Sequence, residues 1–191
     1  MIWHFLDPWP DSSPGLGLLN QKFITSTLSN GNTALLSDLA KHGSLPYAHL
    51  LSAEDFQAYK PHPNVYNGAA KKLGLETSQC ALVAAHLGDL AAARNCGYQT
   101  IYISRPQEEQ WSKEKIEQSR EWVDMWIEEG DGGFEEMARR FEIKRGSEEG
   151  EESGTYYEDG SITGAGLDTA AKGEGGGSEH VEDPSITGQK L

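Results

Sequence analysis

Short runs rich in β-branched and aromatic residues alternate along this chain with stretches where leucine and alanine recur every three or four positions. Residues 22–28, 48–51, 80–85 and 100–104 are of the first kind and are predicted as strands, those at 22–28 and 80–85 buried. Between them, Asn32 is predicted to cap a helix that runs to about His42, with Leu35, Leu36 and Leu39 on one stripe and Gly43 as its stop. Ser52 with Glu54 and Asp55 opens a one-turn helix, and Asn64 is read as the cap of a helix ending at Gly74, its inner face made of Val65, Ala69 and Leu73. Leu90, Ala93 and Cys96 line the next helix, which stops at Gly97. Residues 107–121, full of Glu and Lys, read as a solvent-facing helix, and Phe134, Met137 and Phe141 as a short closing one. Trp122 to Ile127 fits a strand or a helix end, and periodicity leaves both open. Residues 1–20, broken by Pro8, Pro10 and Pro14, read as an irregular connection. Strands alternating with helices in units of about thirty residues predict an α/β fold with a parallel sheet and flanking helices.

Charge divides the chain. Residues 145–191 hold eleven acids, three bases and eleven glycines, a net of −8 out of a total of −14. Such a segment buries too little apolar surface to offset its ordering entropy, and it is read as a disordered Gly/Glu-rich tail. Within it, residues 158–164 are echoed by residues 182–188, a repeat attributed to low complexity. The acidic balance argues against nucleic acid and anionic membranes as partners. Cys80 and Cys96 make neither a disulfide framework nor a metal-ligand spacing. The first residues lack a signal-peptide pattern and no run approaches a membrane span, so the expected location is cytoplasmic.

Three stretches carry chemistry. Ser29-Asn30 closes the first strand, Lys60 stands between Tyr59 and Pro61-His62-Pro63, and Asp89 follows the strand at 80–85 after a short turn. A hydroxyl with an amide, a lysine and a carboxylate therefore sit where strands end, the edge at which parallel sheets bind ligands. They are expected to converge on one rim.

Thr27-Leu28-Ser29-Asn30-Gly31-Asn32, Tyr59-Lys60-Pro61-His62-Pro63-Asn64-Val65-Tyr66 and Val83-Ala84-Ala85-His86-Leu87-Gly88-Asp89-Leu90 resemble motifs two, three and four of the haloacid dehalogenase superfamily. More specifically, they resemble its type II (S)-2-haloacid dehalogenases. Trp3-His4-Phe5-Leu6-Asp7-Pro8-Trp9-Pro10-Asp11 is similar to that group's return segment from cap to core. The resemblance extends to about residue 141 and implies a partial Rossmann-like parallel sheet. Residues 1–20 would be the return segment, 21–144 a core lacking its first strand, and 145–191 the tail.

In that family an Asp carboxylate displaces halide from C2 of a 2-haloacid, and water hydrolyses the resulting ester. The resemblance implies that Ser29 and Asn30 bind the substrate carboxylate and the departing halide. Lys60 would offset the charge of the nucleophile and of Asp89, and Asp89 would orient or activate water. Tyr66 matches a tyrosine that packs at the family's site, and His86 stands where the family pattern often has asparagine. No cofactor is implied. The expected partner is a small 2-haloacid or similar carboxylic acid, and a homodimer is compatible with this reading.

The family's nucleophile strand and cap have no counterpart here, so the chain is read as N-terminally incomplete, inactive alone and poorly stable. Asp7 is a poor nucleophile candidate: Pro8 and Pro10 crowd it and only 22 residues separate it from Ser29. Two other functions stay open. One is a magnesium-dependent superfamily phosphatase, against which Ala93 and Arg94 stand where a second carboxylate is usual. The other is a non-catalytic relic or binding protein.

Overall fold

The computed structural model describes residues 2–145. The tail reading and the echoed repeat fall on residues outside that range, Arg145 excepted. The elements run α1 (Ser12–Leu19), β1 (Ser26–Ser29), α2 (Thr33–His42), β2 (His49–Ser52), α3 (Pro63–Lys72), β3 (Ala81–Ala84), α4 (Leu87–Asn95), β4 (Gln99–Ile103), α5 (Lys113–Ser119), β5 (Met125–Ile127) and α6 (Gly133–Arg140). Single 3-10 turns form at Ile2–Phe5, Ala53–Phe56 and Thr77–Gln79.

All strand pairs are parallel, in two separate sheets ordered β1-β2 and β3-β4-β5. Ser29 pairs with Ser52, Ala84 with Tyr102 and Ile103 with Ile127, so the strand ends that precede the functional loops are in register. Alternation of side chains across a strand gives the larger sheet two apolar faces. On one, Leu82 and Tyr102 join Tyr66 and Ala70 of α3, Leu87, Leu90 and Ala93 of α4, and Tyr98. On the other, Ile101, Ile103 and Ile127 meet Leu19 of α1 and Met137 and Ala138 of α6. Both faces are thus covered by helices, as parallel sheets require. Leu28 of β1 packs against the first cluster, which ties the smaller sheet to it. Among the described residues, β1 and β3 each lack a strand partner on one side. All of β1, with Val83 and Ala84, is only half-buried. No helix among these residues is long and apolar enough to cross a membrane.

Several expectations need correction. Residues 1–20 are not irregular: they hold the 3-10 turn and α1. Pro14 sits in the first turn of α1, where the missing N–H costs nothing. Gly15 lets α6 come close enough for Leu16 and Leu19 to be buried. The acidic stretch 107–121 is helical only over Lys113–Ser119, because Gln107 adopts a positive φ and Glu109 turns its carboxylate onto neighbouring amides. Helix α3 is capped by His62, whose Nδ1 accepts from Asn64 N at 3.1 Å, with Pro63 as its first residue; Asn64 lies inside it. The first strand starts at Ser26, leaving Phe23 and Ile24 exposed. Cys80 precedes β3 and is half-buried. Trp122 to Ile127 resolves into the three-residue strand β5.

The α1–α6 approach offers a direct check. A Cβ on Gly15 would overlap Phe134 Cβ and lie 2.8 Å from Glu135 N, backbone that cannot step aside. Gly15→Ala is expected to destabilise the chain by about 1–3 kcal/mol, the usual cost of overpacking, read as a lower urea midpoint. A gain in stability, as for a freely accommodated glycine-to-alanine change, would show that the helices can separate.

Candidate active site

Lys60 lies in the loop after β2 and Asp89 in the first turn of α4 after β3, so each follows the carboxyl end of a parallel strand. Lys60 Nζ donates to Asp89 Oδ2 at 2.6 Å, and the Tyr66 hydroxyl donates to Asp89 Oδ1 at 2.6 Å. The Lys60 and Asp89 side chains retain only 16% and 19% of their exposure, so water screens the pair weakly. Tyr66 is completely buried on α3, and its own carbonyl accepts from the Tyr98 hydroxyl at 2.7 Å. Burial first, and then the bond to Asp89, push the Tyr66 phenol far above the ordinary tyrosine range. It therefore stays protonated and serves as a fixed donor.

Asn30 holds the lysine loop from the other sheet. Its Oδ1 accepts from Lys60 N at 2.7 Å, and its Nδ2 donates to Lys60 O at 3.2 Å. Both ends of the amide thus bond the Lys60 backbone, and Nδ2 keeps its second N–H. Ser29 Oγ accepts from Gly31 N at 3.0 Å and shapes the turn that presents Asn30. Gly31 O in turn accepts from Ser52 Oγ, so the ends of β1 and β2 are tied together.

The structure therefore joins Lys60, Asp89, Tyr66 and Asn30 through direct hydrogen bonds, with Ser29 next to them along the chain. His86 stands at the same strand end but is about half exposed and faces Glu108, Nε2 to Oε2 at 3.3 Å. Asp7 is elsewhere: its exposed carboxylate pairs with His42 at 3.1 Å. Asp11 is held by Arg105, Nη1 to Oδ1 at 2.7 Å and Nη2 to Oδ2 at 2.6 Å. Sequence reasoning missed Tyr98 and Glu109. Tyr98 reads as core, and Glu109 is one acid among many in a charged stretch; no local signal separates either from its neighbours.

Among the described residues, no group of three or more His, Cys, Asp or Glu side chains is placed to hold a metal ion. At Asp89 both oxygens are already engaged, and nearby Arg94 turns its guanidinium to Trp122 O at 2.7 Å. These donors do not fit a hard divalent cation, which needs several free oxygens.

Comparison with known proteins agrees with this arrangement. The family described as haloacid dehalogenase-like hydrolase matches residues 1–97, just over half of the chain. (S)-2-haloacid dehalogenase 1 of Pseudomonas sp. (strain CBS-3) is 34% identical over 112 residues, which are 56% of this chain and 49% of that protein. Haloacetate dehalogenase H-2 of Moraxella sp. (strain B) is 30% identical over 103 residues, 52% of this chain and 46% of the relative. The chain thus spans about half the length of the curated relatives it matches. Among solved structures, an L-2-haloacid dehalogenase superposes with a TM-score of 0.65 at 38% identity, covering 74% of this chain and 59% of the other. A defluorinating L-2-haloacid dehalogenase gives 0.62 at 33%, covering 73% and 56%. Matched family, parallel α/β architecture and shared sequence agree: the chain belongs to the haloacid dehalogenase-like hydrolases.

Proposed function

We propose that residues 21–144 form the lysine–aspartate part of an active site that hydrolyses the carbon–halide bond of short 2-haloacids, with residues 1–20 as the segment entering that core. The observation that carries this reading is Asp89 held between Lys60 Nζ and the Tyr66 hydroxyl, 2.6 Å from each. A carboxylate nucleophile attacks C2, the C–halide bond breaks and halide leaves with the bonding pair. Water then adds to the ester carbonyl and gives up a proton, and the products are the 2-hydroxyacid, halide and the regenerated carboxylate. Lys60 lowers the cost of placing a second carboxylate beside Asp89, and Asp89 is placed to take the proton from water. Ser29 and Asn30, at the end of β1, contact the acid and halide ends of the substrate, and His86 lines the same rim.

Among the described residues, Asp89 is the only acid hydrogen-bonded to Lys60; Asp7 and Asp11 are paired elsewhere. The ester-forming carboxylate is thus a separate group, which the unmatched half of a relative can supply. Chloride release from 2-chloropropionate tests this. The 191-residue chain alone is expected to show none. A fusion carrying the N-terminal half of the Pseudomonas sp. (strain CBS-3) enzyme is expected to release chloride with or without EDTA. A fusion that hydrolyses a small phosphate ester, stops on EDTA treatment and leaves 2-chloropropionate intact would replace this reading with a phosphatase.

A further inference from the structure

Asp89 occupies the third position of α4, counted from its cap residue His86. An acid at that position commonly reaches back to the backbone N–H of the cap residue. This chain does so elsewhere: Asp55, third after Ser52, accepts from Ser52 N at 3.1 Å. Asp89 does not, since both of its oxygens point to Lys60 and Tyr66. His86 makes no side-chain capping bond either. The first amide of the helix is instead taken from outside: Leu87 N donates to Glu109 Oε2 at 2.6 Å. The other oxygen of Glu109 accepts from Gln110 N at 2.7 Å and Trp111 N at 2.9 Å. One carboxylate therefore joins the loop after β4 to the turn that carries Asp89. It also seats the Trp111 indole against Gly88, within 3.7 Å of where a Cβ would stand. Lys115 Nζ lies 3.5 Å from the centre of that ring and holds it from α5.

We propose that Glu109 is a positioning residue for Asp89: by capping α4 from a distant loop, it leaves both oxygens of Asp89 free for Lys60 and Tyr66. Without Glu109, Leu87 N loses its partner and competes for the carboxylate carried by its own turn, Asp89. Trp111 acts as the second anchor, a side chain lent to the site at a residue that has none. This inference deepens the reading of Asp89 as the working carboxylate and rests on it.

The test uses the 191-residue chain with 13C-labelled tyrosine and needs no turnover. Tyr66 Cζ, assigned by its loss in Tyr66→Phe, reports the bond to Asp89. In Glu109→Ala this resonance is expected to move toward the position of the exposed Tyr59, and Leu87 amide exchange to quicken about tenfold or more. In Glu109→Gln the carboxamide oxygen can still accept from Leu87 N while its NH2 gives up the bonds from Gln110 N and Trp111 N, and both signals are expected to move less than in Glu109→Ala. If Glu109→Ala does not fold, Glu109→Asp shortens the reach by one methylene and is expected to displace Tyr66 Cζ in the same direction. A folded Glu109→Ala or Glu109→Asp with Tyr66 Cζ unmoved overturns the proposal. Since no substrate is involved, that outcome is separate from failure of the fusion to release chloride.

Discussion

Lys60→Ala in the chloride-releasing fusion is expected to lower kcat/KM for 2-chloropropionate by about 10²–10³-fold, the usual loss when one preorganised electrostatic contact is removed from a reacting centre. Lys60 Nζ is the cation hydrogen-bonded to Asp89 in a site from which water is largely excluded. Bringing a second carboxylate there without it would set two negative charges side by side in low dielectric. The loss should fall on kcat more than on KM if the ammonium acts mainly on charge that shifts during displacement. Lys41→Ala, on the far end of α2, serves as the comparison and is expected to leave kinetics unchanged. Full activity in a folded Lys60→Ala fusion would remove the lysine–aspartate pair from the mechanism and leave the binding-protein reading.

The second large effect concerns stability. Arg105→Ala is expected to destabilise the chain by about 3–5 kcal/mol, because it leaves a buried carboxylate without its cation. The pair is 13% and 12% exposed and bidentate, and Asp11 Oδ2 also accepts from Phe134 N at 2.8 Å. The Trp9 ring lies 5.2 Å from the Arg105 guanidinium carbon. Gly133, at φ +53°, leaves the room this cluster needs, for a Cβ there would overlap the Asp11 carboxylate. For a domain of this size the loss corresponds to a fall in Tm of roughly 10 °C.

The same pair sets a pH dependence. Burial raises the Asp11 pKa, but the Arg105 and Phe134 hydrogen bonds together with the Arg105 charge outweigh it, and the folded value lies below the ordinary carboxylate value. A depressed folded pKa contributes stability that is complete above the unfolded value of about 3.9 and is lost as pH falls through the folded one. Urea midpoints of wild type and Asp11→Asn should therefore differ most at pH 7 and converge as pH falls from the unfolded carboxylate value through the lower folded one. A difference that stays constant across that range would show that the ion pair does not drive it.

Much of the fold could be read along the chain because its signals are local. Runs such as Cys80 to Ala85, closed by Gly88 and followed by an apolar helical stripe, mark a strand–turn–helix unit wherever they fold. Ser29, Lys60 and Asp89 were legible for a related reason: Ser29 closes such a run, Asp89 follows one after a short turn and Lys60 lies in the loop that follows β2, and parallel pairing of strands brings those ends to one edge. Asn30 shows the limit. Its sequence position suggested a substrate contact and gave no sign of a second task, the grip of its amide on both backbone groups of Lys60.

What stayed hidden depended on partners far away in sequence. Pro14 reads as a helix breaker until α6 supplies the surface that α1 needs, met at Gly15. Asp11 and Arg105 are separated by 94 residues, and nothing near either one announces the other. Glu109 looks like one more solvated acid, yet it holds the chain out of the predicted helix until Lys113 and caps α4. The sequence by itself thus determined the order of strands and helices and the chemical groups at their ends, since hydrophobic period and turn residues act within a few positions. Only the tertiary structure decided which buried charge meets which partner and which donors hold the two oxygens of Asp89, because desolvated polar groups are satisfied by whatever the packing brings within about 3 Å.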